Sequence, residues 1–238
     1  MLGKITDIET MGSADGPGVR LVLFLSGCKL RCLYCHNPET WLMKNFKRTI
    51  SSAEVLNLYN KYKGYYGKHG GVTFSGGEPL LQSEFVLETC KLLKENNIHV
   101  ALDTSGVAEN YEEILDYVDL VILDVKAVEK FEYKKITGRD ISEFNAFLEV
   151  CQKKNKPLWL RQVIVPGLND DKEHVEKLKN FASKLKNVER VELLGYHSMA
   201  KKKYLEMGLK YRLEEVEDMD KTKLKQLQNL LENKKITR

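Results

Sequence analysis

Long apolar runs are absent from this 238-residue chain. The longest strongly apolar stretch, Leu21–Leu25 (LVLFL), falls far short of the ~18 residues a membrane-spanning helix needs, so no membrane partner is expected. The opening residues, MLGKITDIET, contain no apolar segment of the secretory kind. The chain is therefore expected in the reducing cytoplasm, where structural disulfides are rare. Charge of one sign is not in excess either: 38 Lys plus Arg against 34 Asp plus Glu leave +4, too mild to point to nucleic acid. Solenoid repeats, low-complexity stretches, G-x-G-x-x-G and the P-loop are all missing. Nothing of linker composition divides the chain, so residues 1–238 are expected to form one domain, working as a monomer.

What is present is a regular alternation. Hydrophobic residues make up 42%, enough for a core. Strands are expected at Val19–Leu25, Gly71–Phe74, Ile98–Leu102, Leu120–Val125, Leu158–Val165 and Val188–Leu194, with Lys4–Ile8 as a short strand before them. Helical patterns lie between. Ser51 and Glu54 have capping-box spacing ahead of Val55, Tyr59 and Tyr62. Val86, Cys90 and Leu93 share one face, and Tyr111–Tyr117 is a weaker pattern. Phe144, Phe147, Leu148 and Cys151 form an i, i+3, i+4, i+7 stripe. Val175, Leu178, Ala182 and Leu185 form another, and Leu224, Leu227 and Leu231 mark a last amphipathic helix. Strands alternating with helices give βα units and a parallel sheet. Six units are fewer than a closed eight-unit barrel requires, so the expected fold class is α/β, a partial, open parallel β/α barrel, with a doubly wound sheet as the alternative.

Three of the five cysteines lie within eight residues. Cys28, Cys32 and Cys35 have the spacing C-x3-C-x2-C, directly after the first strong strand. Structural zinc needs a fourth ligand, and His36, adjoining Cys35, is poorly placed to close a tetrahedron. C-x-x-C-H also fits c-type haem attachment, which needs export. A thioredoxin-like pair leaves Cys28 without a role. A four-iron cluster on three thiolates leaves one iron open to an outside ligand, a catalytic arrangement. Cys90 and Cys151 fall on apolar helix faces and read as core residues.

The cysteine loop resembles that of radical S-adenosylmethionine enzymes. With Asp15-Gly16-Pro17-Gly18-Val19-Arg20 before it and HNPETW inside it, the chain is similar to the activating enzymes of glycyl radical enzymes. Further matching segments are SGGEPLLQ at 75–82, LDTSG at 102–106, LDVK at 123–126, LRQVIVPGLND at 160–170 and GYHSMAKKKYLEMG at 195–208. Related activases often carry a cysteine-rich insert after the cluster loop. Residues 36–89 contain no cysteine, which favours the branch acting on pyruvate formate-lyase.

The resemblance implies a [4Fe-4S] cluster held by Cys28, Cys32 and Cys35, with S-adenosylmethionine chelating the open iron. One electron, from flavodoxin or ferredoxin, would cleave the sulfonium bond. The resulting 5′-deoxyadenosyl radical would take a hydrogen from a backbone glycine of the partner. It further implies that Gly76, Gly77 and Glu78 hold the amino end of S-adenosylmethionine. Lys126, in Asp124-Val125-Lys126, would neutralise its carboxylate, and Asp103 would accept from its amino or ribose groups. Tyr34 and His36 would lie against the adenine, and His197 would bond the nucleoside. Asp103, Thr104 and Asp124 offer oxygen ligands to a monovalent cation. Asp15 and Arg20 would contact the partner's glycine loop. Arg161 reads equally as a site residue or an ion-pair residue, Trp41 and Trp159 as packing or rim, and Lys201–Lys203 as a solvated run or docking surface. The alternatives are an activase of another glycyl radical enzyme, a radical enzyme acting on a small molecule, and a non-catalytic zinc module.

Overall fold

Short β-branched runs that are apolar on successive residues must be covered on both faces, and here they stack side by side. The computed structural model describes residues 1–232; residues 233–238, the end of the expected domain, lie outside the described residues. In chain order the elements are β1 (Leu2–Gly12), β2 (Arg20–Leu25), β3 (Arg48–Ser51), α1 (Ser52–Tyr66), β4 (Gly71–Gly76) and α2 (Ser83–Glu95). Then come β5 (His99–Thr104), α3 (Glu112–Asp116), β6 (Leu120–Asp124), α4 (Lys130–Thr137), α5 (Ser142–Lys153) and β7 (Leu158–Ile164). The chain continues through α6 (Lys172–Ala182), β8 (Val188–Gly195), α7 (Lys201–Glu206) and α8 (Lys221–Glu232). Among the described residues no helix is long and apolar enough to cross a membrane.

The strands form one eight-stranded sheet in the order β3-β1-β2-β4-β5-β6-β7-β8. From β2 to β8 every pairing is parallel, in step with six expected βα units. The sheet is open, not a closed barrel. It departs from a purely parallel sheet at one edge, where β1 pairs antiparallel with both β2 and β3. These pairings lengthen β1 well beyond Lys4–Ile8.

Side-chain alternation sorts each strand into two faces. Val72, Phe74, Val100, Leu102, Val121, Leu123, Leu158 and Leu160 join the main core. Ala101, Leu120 and Ile122 face the other way in a small second cluster against Trp159. Above that cluster, toward the strand C-termini, the same inner face turns polar with Ser75, Asp103 and Asp124. A polar inner face over a small apolar floor makes a site in an otherwise apolar sheet.

Helix starts follow local chemistry. Ser51 caps α1 in a full capping box with Glu54, whose carboxylate accepts from the Ser51 amide at 2.7 Å. Asp171 caps α6 by accepting from the His174 amide at 2.8 Å.

Candidate active site

The C-terminal ends of β4, β5 and β6 and the loop after β2 enclose one pocket. Its lining includes Cys28, Cys32, Cys35, Tyr34, His36, Gly76, Gly77, Asp103, Thr104, Asp124 and Lys126, all of them singled out from the sequence. Segments nearly 100 residues apart in sequence thus meet in one cavity.

The cysteine loop forms one wall. All three thiols are free, and burial raises each: Cys28 to about 12, Cys32 to about 11, and Cys35 upward as well. Trp41, assigned from sequence to packing or rim, does more. Its indole N–H donates to Cys35 Sγ at 3.3 Å. Cys90 and Cys151 are fully buried core residues, as their helix faces require.

Gly76 and Gly77 form the second wall. Gly76 has φ +115, and a Cβ there would meet Leu25 N at 2.2 Å; one on Gly77 would meet Gly27 O at 2.3 Å. The close approach that excludes side chains here is by the chain's own loop after β2. Gly77 N bonds Leu25 O at 2.9 Å, and Glu78 N bonds Gly27 O at 2.7 Å.

Glu78 departs from its expected role. It is 1% exposed, and its carboxylate accepts from Thr104 Oγ1 and Ser105 Oγ (2.6 Å each), Ser105 N (2.9 Å) and Leu80 N (3.2 Å). Burial raises its pKa despite these donors. Its side chain ties the end of β4 to the end of β5 and has no oxygen left for a cofactor's amino group. Thr104 is drawn into the same lattice, since its hydroxyl also accepts from Gly106 N at 2.9 Å. That hydroxyl is therefore committed and not free for a cation. Val125, between Asp124 and Lys126, buries its side chain fully in the core, and its N–H donates to Arg161 O at 2.8 Å. Only its carbonyl remains.

The third wall is charged. Lys126 Nζ lies 2.5 Å from Asp124 Oδ2 and 5.9 Å from the centre of the Tyr34 ring. Burial, the largest single influence, acts to lower the Lys126 ammonium, but Asp124, Tyr34 and Cys32 together hold the group well above its usual value. Asp103 accepts from Ser75 Oγ at 2.8 Å, and burial together with Asp124 pushes its carboxyl up to about 7. Asp124 is thus paired with Lys126, while the neighbouring Asp103 carboxyl has no side-chain cation bound to it among the described residues.

His36 and His197 stack with ring centres 3.8 Å apart, and His36 Nε2 lies 3.0 Å from His197 O. Burial, then the His197 ring, lowers His36 to about 4. Because the folded state then holds fewer protons than the unfolded state between pH ~4 and ~6.5, stability rises with pH across that window. This contribution is expected to be complete above ~6.5 and lost as pH falls toward 4. In a proton resonance titration, the His36 ring should show no transition down to pH 5; a midpoint near 6.5 would contradict the assigned burial.

Arg20 is not a peptide ligand. It is fully buried at the start of β2, at the opposite end of the sheet from the cysteine loop. Its guanidinium donates to Thr73 Oγ1 (2.7 Å), Pro17 O (3.0 Å) and Val72 O (2.9 Å), leaving nothing for an outside chain. Burial lowers it to about 10. Asp15 behaves differently. Half-buried on the inner face, it accepts from Thr73 Oγ1 through its backbone carbonyl at 2.7 Å while its carboxyl stays unbonded, raised by burial against the pull of Arg161. Arg161 itself pairs with Glu192 at 3.3 Å and donates to Ala14 O, so it is an ion-pair residue that also pins the Asp15 turn. Lys203, partly exposed, also binds Asn37 Oδ1 (2.9 Å) and Glu39 Oε1 (2.6 Å), clasping α7 to the cysteine loop.

These features can be tested against the cofactors the cysteine loop implies. Three thiols line one wall, and the glycine wall exposes backbone. Of the buried polar atoms without a partner among the described residues, Tyr34 Oη belongs to the pocket lining and His197 Nδ1 to the ring stacked on His36. Among the described residues, no three His, Cys, Asp or Glu side chains are placed to hold a single metal ion, as zinc would need. The residues fit an iron–sulfur group with a nucleoside beside it.

Residues 22–182 match the family model described as the Radical SAM superfamily. The chain belongs to this superfamily. Relatives of this radical SAM chain include several named pyruvate formate-lyase-activating enzyme. That of Clostridium pasteurianum is 48% identical over 233 residues, covering 97% of this chain and 98% of the relative. That of Staphylococcus epidermidis is 40% identical over 233 residues, covering 94% and 93%. Among solved structures, a radical SAM methyltransferase from Sphaerobacter thermophilus superposes with TM-score 0.63 at 16% identity, over 89% of this chain and 63% of that one. A domain of a pyruvate-formate lyase-activating enzyme from Bacteroides vulgatus gives 0.56 at 22%, over 69% and 94%. At those identities the structural likeness speaks for the radical SAM fold alone.

Proposed function

We propose that this radical SAM enzyme activates pyruvate formate-lyase by creating a glycyl radical on it. The observation that carries the proposal is the 48% identity over nearly the full length of a relative bearing that name. The pocket supports it. Cys28, Cys32 and Cys35 would each bind one iron of a [4Fe-4S] cluster, leaving the fourth iron to S-adenosylmethionine. Together these groups supply a one-electron cleavage of the sulfonium and a carbon radical able to take a hydrogen atom.

The chain's own residues position and shield this chemistry. The backbone at Gly76–Gly77 receives the amino end of S-adenosylmethionine, and Lys126 receives its carboxylate. Tyr34 and His36 flank the adenine, with His197 Nδ1 free to bond the nucleoside. A monovalent cation between Asp103 and Asp124 would offset the burial and the Asp124 charge that together raise Asp103. Asp15, the free carboxylate of the glycine-rich turn, meets the partner's loop. The target is a glycine Cα–H because its radical is stabilised by both flanking amides. The electron comes from flavodoxin or ferredoxin in the cytoplasm, and the enzyme works as a monomer.

The test is anaerobic incubation of the reconstituted, reduced enzyme with S-adenosylmethionine and pyruvate formate-lyase. A glycyl radical signal in electron paramagnetic resonance is expected. Its absence, with an intact cluster and cofactor cleavage, would sink the choice of partner.

A further inference from the structure

The loop between Cys28 and Cys32 has two sides. Its inner side turns the thiols and Leu30 to the pocket. Its outer side is collared by guanidinium groups from three parts of the chain. Arg31 Nη1 donates to Cys28 O at 2.8 Å and Leu30 O at 2.7 Å. Arg139, just after α4, donates from Nε to Lys29 O at 3.4 Å. Arg212 donates from Nη2 to Arg31 O. The carbonyls of residues 28–31 thus all meet arginine.

Further cations gather there. Arg31 N and Leu33 N bond Thr137 O and Ile136 O, both at 2.9 Å, which locks the last turn of α4 onto the loop. That turn carries exposed Lys134 and Lys135, while exposed Lys210 precedes Arg212 by two residues. Among the described residues, none of these six cations has a carboxylate at ion-pair distance. By contrast, nearby Lys29 is paired with Glu109 and Glu143, Lys130 with Asp140, and Lys203 with Glu39.

Capping a carbonyl needs a donor but no charge, and Lys134, Lys135 and Lys210 cap nothing. The collar therefore presents unneutralised positive charge one loop thickness from the three thiols. None of the six cations lines the pocket, so a partner bound to them does not compete with a chain entering it. Charge complementarity of this kind steers encounter and fixes orientation.

We infer that this collar docks an acidic one-electron carrier protein. The reduced carrier gives one electron across the 28–32 loop to the group held by the thiols and is itself oxidised by one electron; no atom changes place. The inference rests on the activase reading, which requires an outside electron.

Binding of oxidised flavodoxin to the reconstituted enzyme, followed by calorimetry, tests it without turnover. Wild type should bind at low salt and weaken as salt screens the contact. Lys134→Glu with Lys135→Glu should raise Kd about tenfold. Lys61→Glu with Lys63→Glu on α1 should leave Kd unchanged. Chemical reduction by dithionite should restore normal cofactor cleavage in the Lys134/Lys135 variant, which separates a docking failure from a failure of the activase reading. A loss under threefold in that variant, no binding by wild type, or an equal loss in the α1 variant would overturn the inference.

Discussion

Cys32→Ala is expected to abolish the iron centre and with it all activity. Cys32 is 7% exposed and lines the pocket with Cys28 and Cys35. An alanine there removes one of only three thiols, and no neighbour can replace it: Cys90 and Cys151 are buried at 0% in the helix-covered core. Iron and sulfide analysis after anaerobic reconstitution should show the catalytic cluster lost, with the fold retained by circular dichroism. The same outcome is expected for Cys28→Ala and Cys35→Ala. Cys90→Ala should keep its iron and lose only packing energy, roughly 1–2 kcal/mol. A Cys32→Ala protein with a full, active cluster would refute the assignment.

The largest expected effect on stability lies at Glu78. Removing its carboxylate in Glu78→Ala leaves two hydroxyls and two backbone amides around Thr104, Ser105 and Leu80 without their acceptor. Buried donors stripped of a partner cost about 1–3 kcal/mol each when not rescued by water. Partial relaxation makes about 3–5 kcal/mol a reasonable total, a large share of the ~5–15 kcal/mol that holds a typical domain together. Glu78→Gln should lose less, since one oxygen still accepts while its amide faces donors. Urea denaturation separates the three proteins. Equal stability of Glu78→Ala and wild type would mean that Glu78 does not bind the two strand ends together. Binding of S-adenosylmethionine should also weaken in Glu78→Ala, because Gly76–Gly77 and Asp103 sit on the segments it joins.

The six parallel strands could be read from the sequence because each is a compact apolar run bounded by turn residues. The edge could not. Arg48–Ser51 has one buried residue in four, and its strand exists because β1 pairs with it. Helix α4 (KFEYKKIT) was missed for a similar reason: its few apolar positions, Tyr133 and Ile136, are hidden among charges. At the site, the cysteines, Gly76–Gly77, Asp103, Asp124 and Lys126 were legible because local motifs carry them. Glu78 and Arg20 belong to motifs too, yet their partners lie far off in sequence, Thr104 for one and Thr73 for the other. Adjacency in a motif does not determine which way a side chain points. In β2, alternation and burial send Arg20 into the base of the sheet while the nearby Asp15 keeps a free carboxylate. The bond from Trp41 to Cys35 was not legible, because an indole donating to sulfur six residues back follows no period.

The central claim is that this chain takes a hydrogen atom from a backbone glycine of pyruvate formate-lyase. The most direct measurement uses partner protein labelled with deuterium at glycine Cα, activated in ordinary water with S-adenosylmethionine and a chemical reductant. Mass spectrometry of the 5′-deoxyadenosine formed should find one deuterium, matched by a glycyl radical signal on the partner. Deuterium should be absent when the target glycine is replaced by alanine. Unlabelled 5′-deoxyadenosine from the labelled partner would contradict the account.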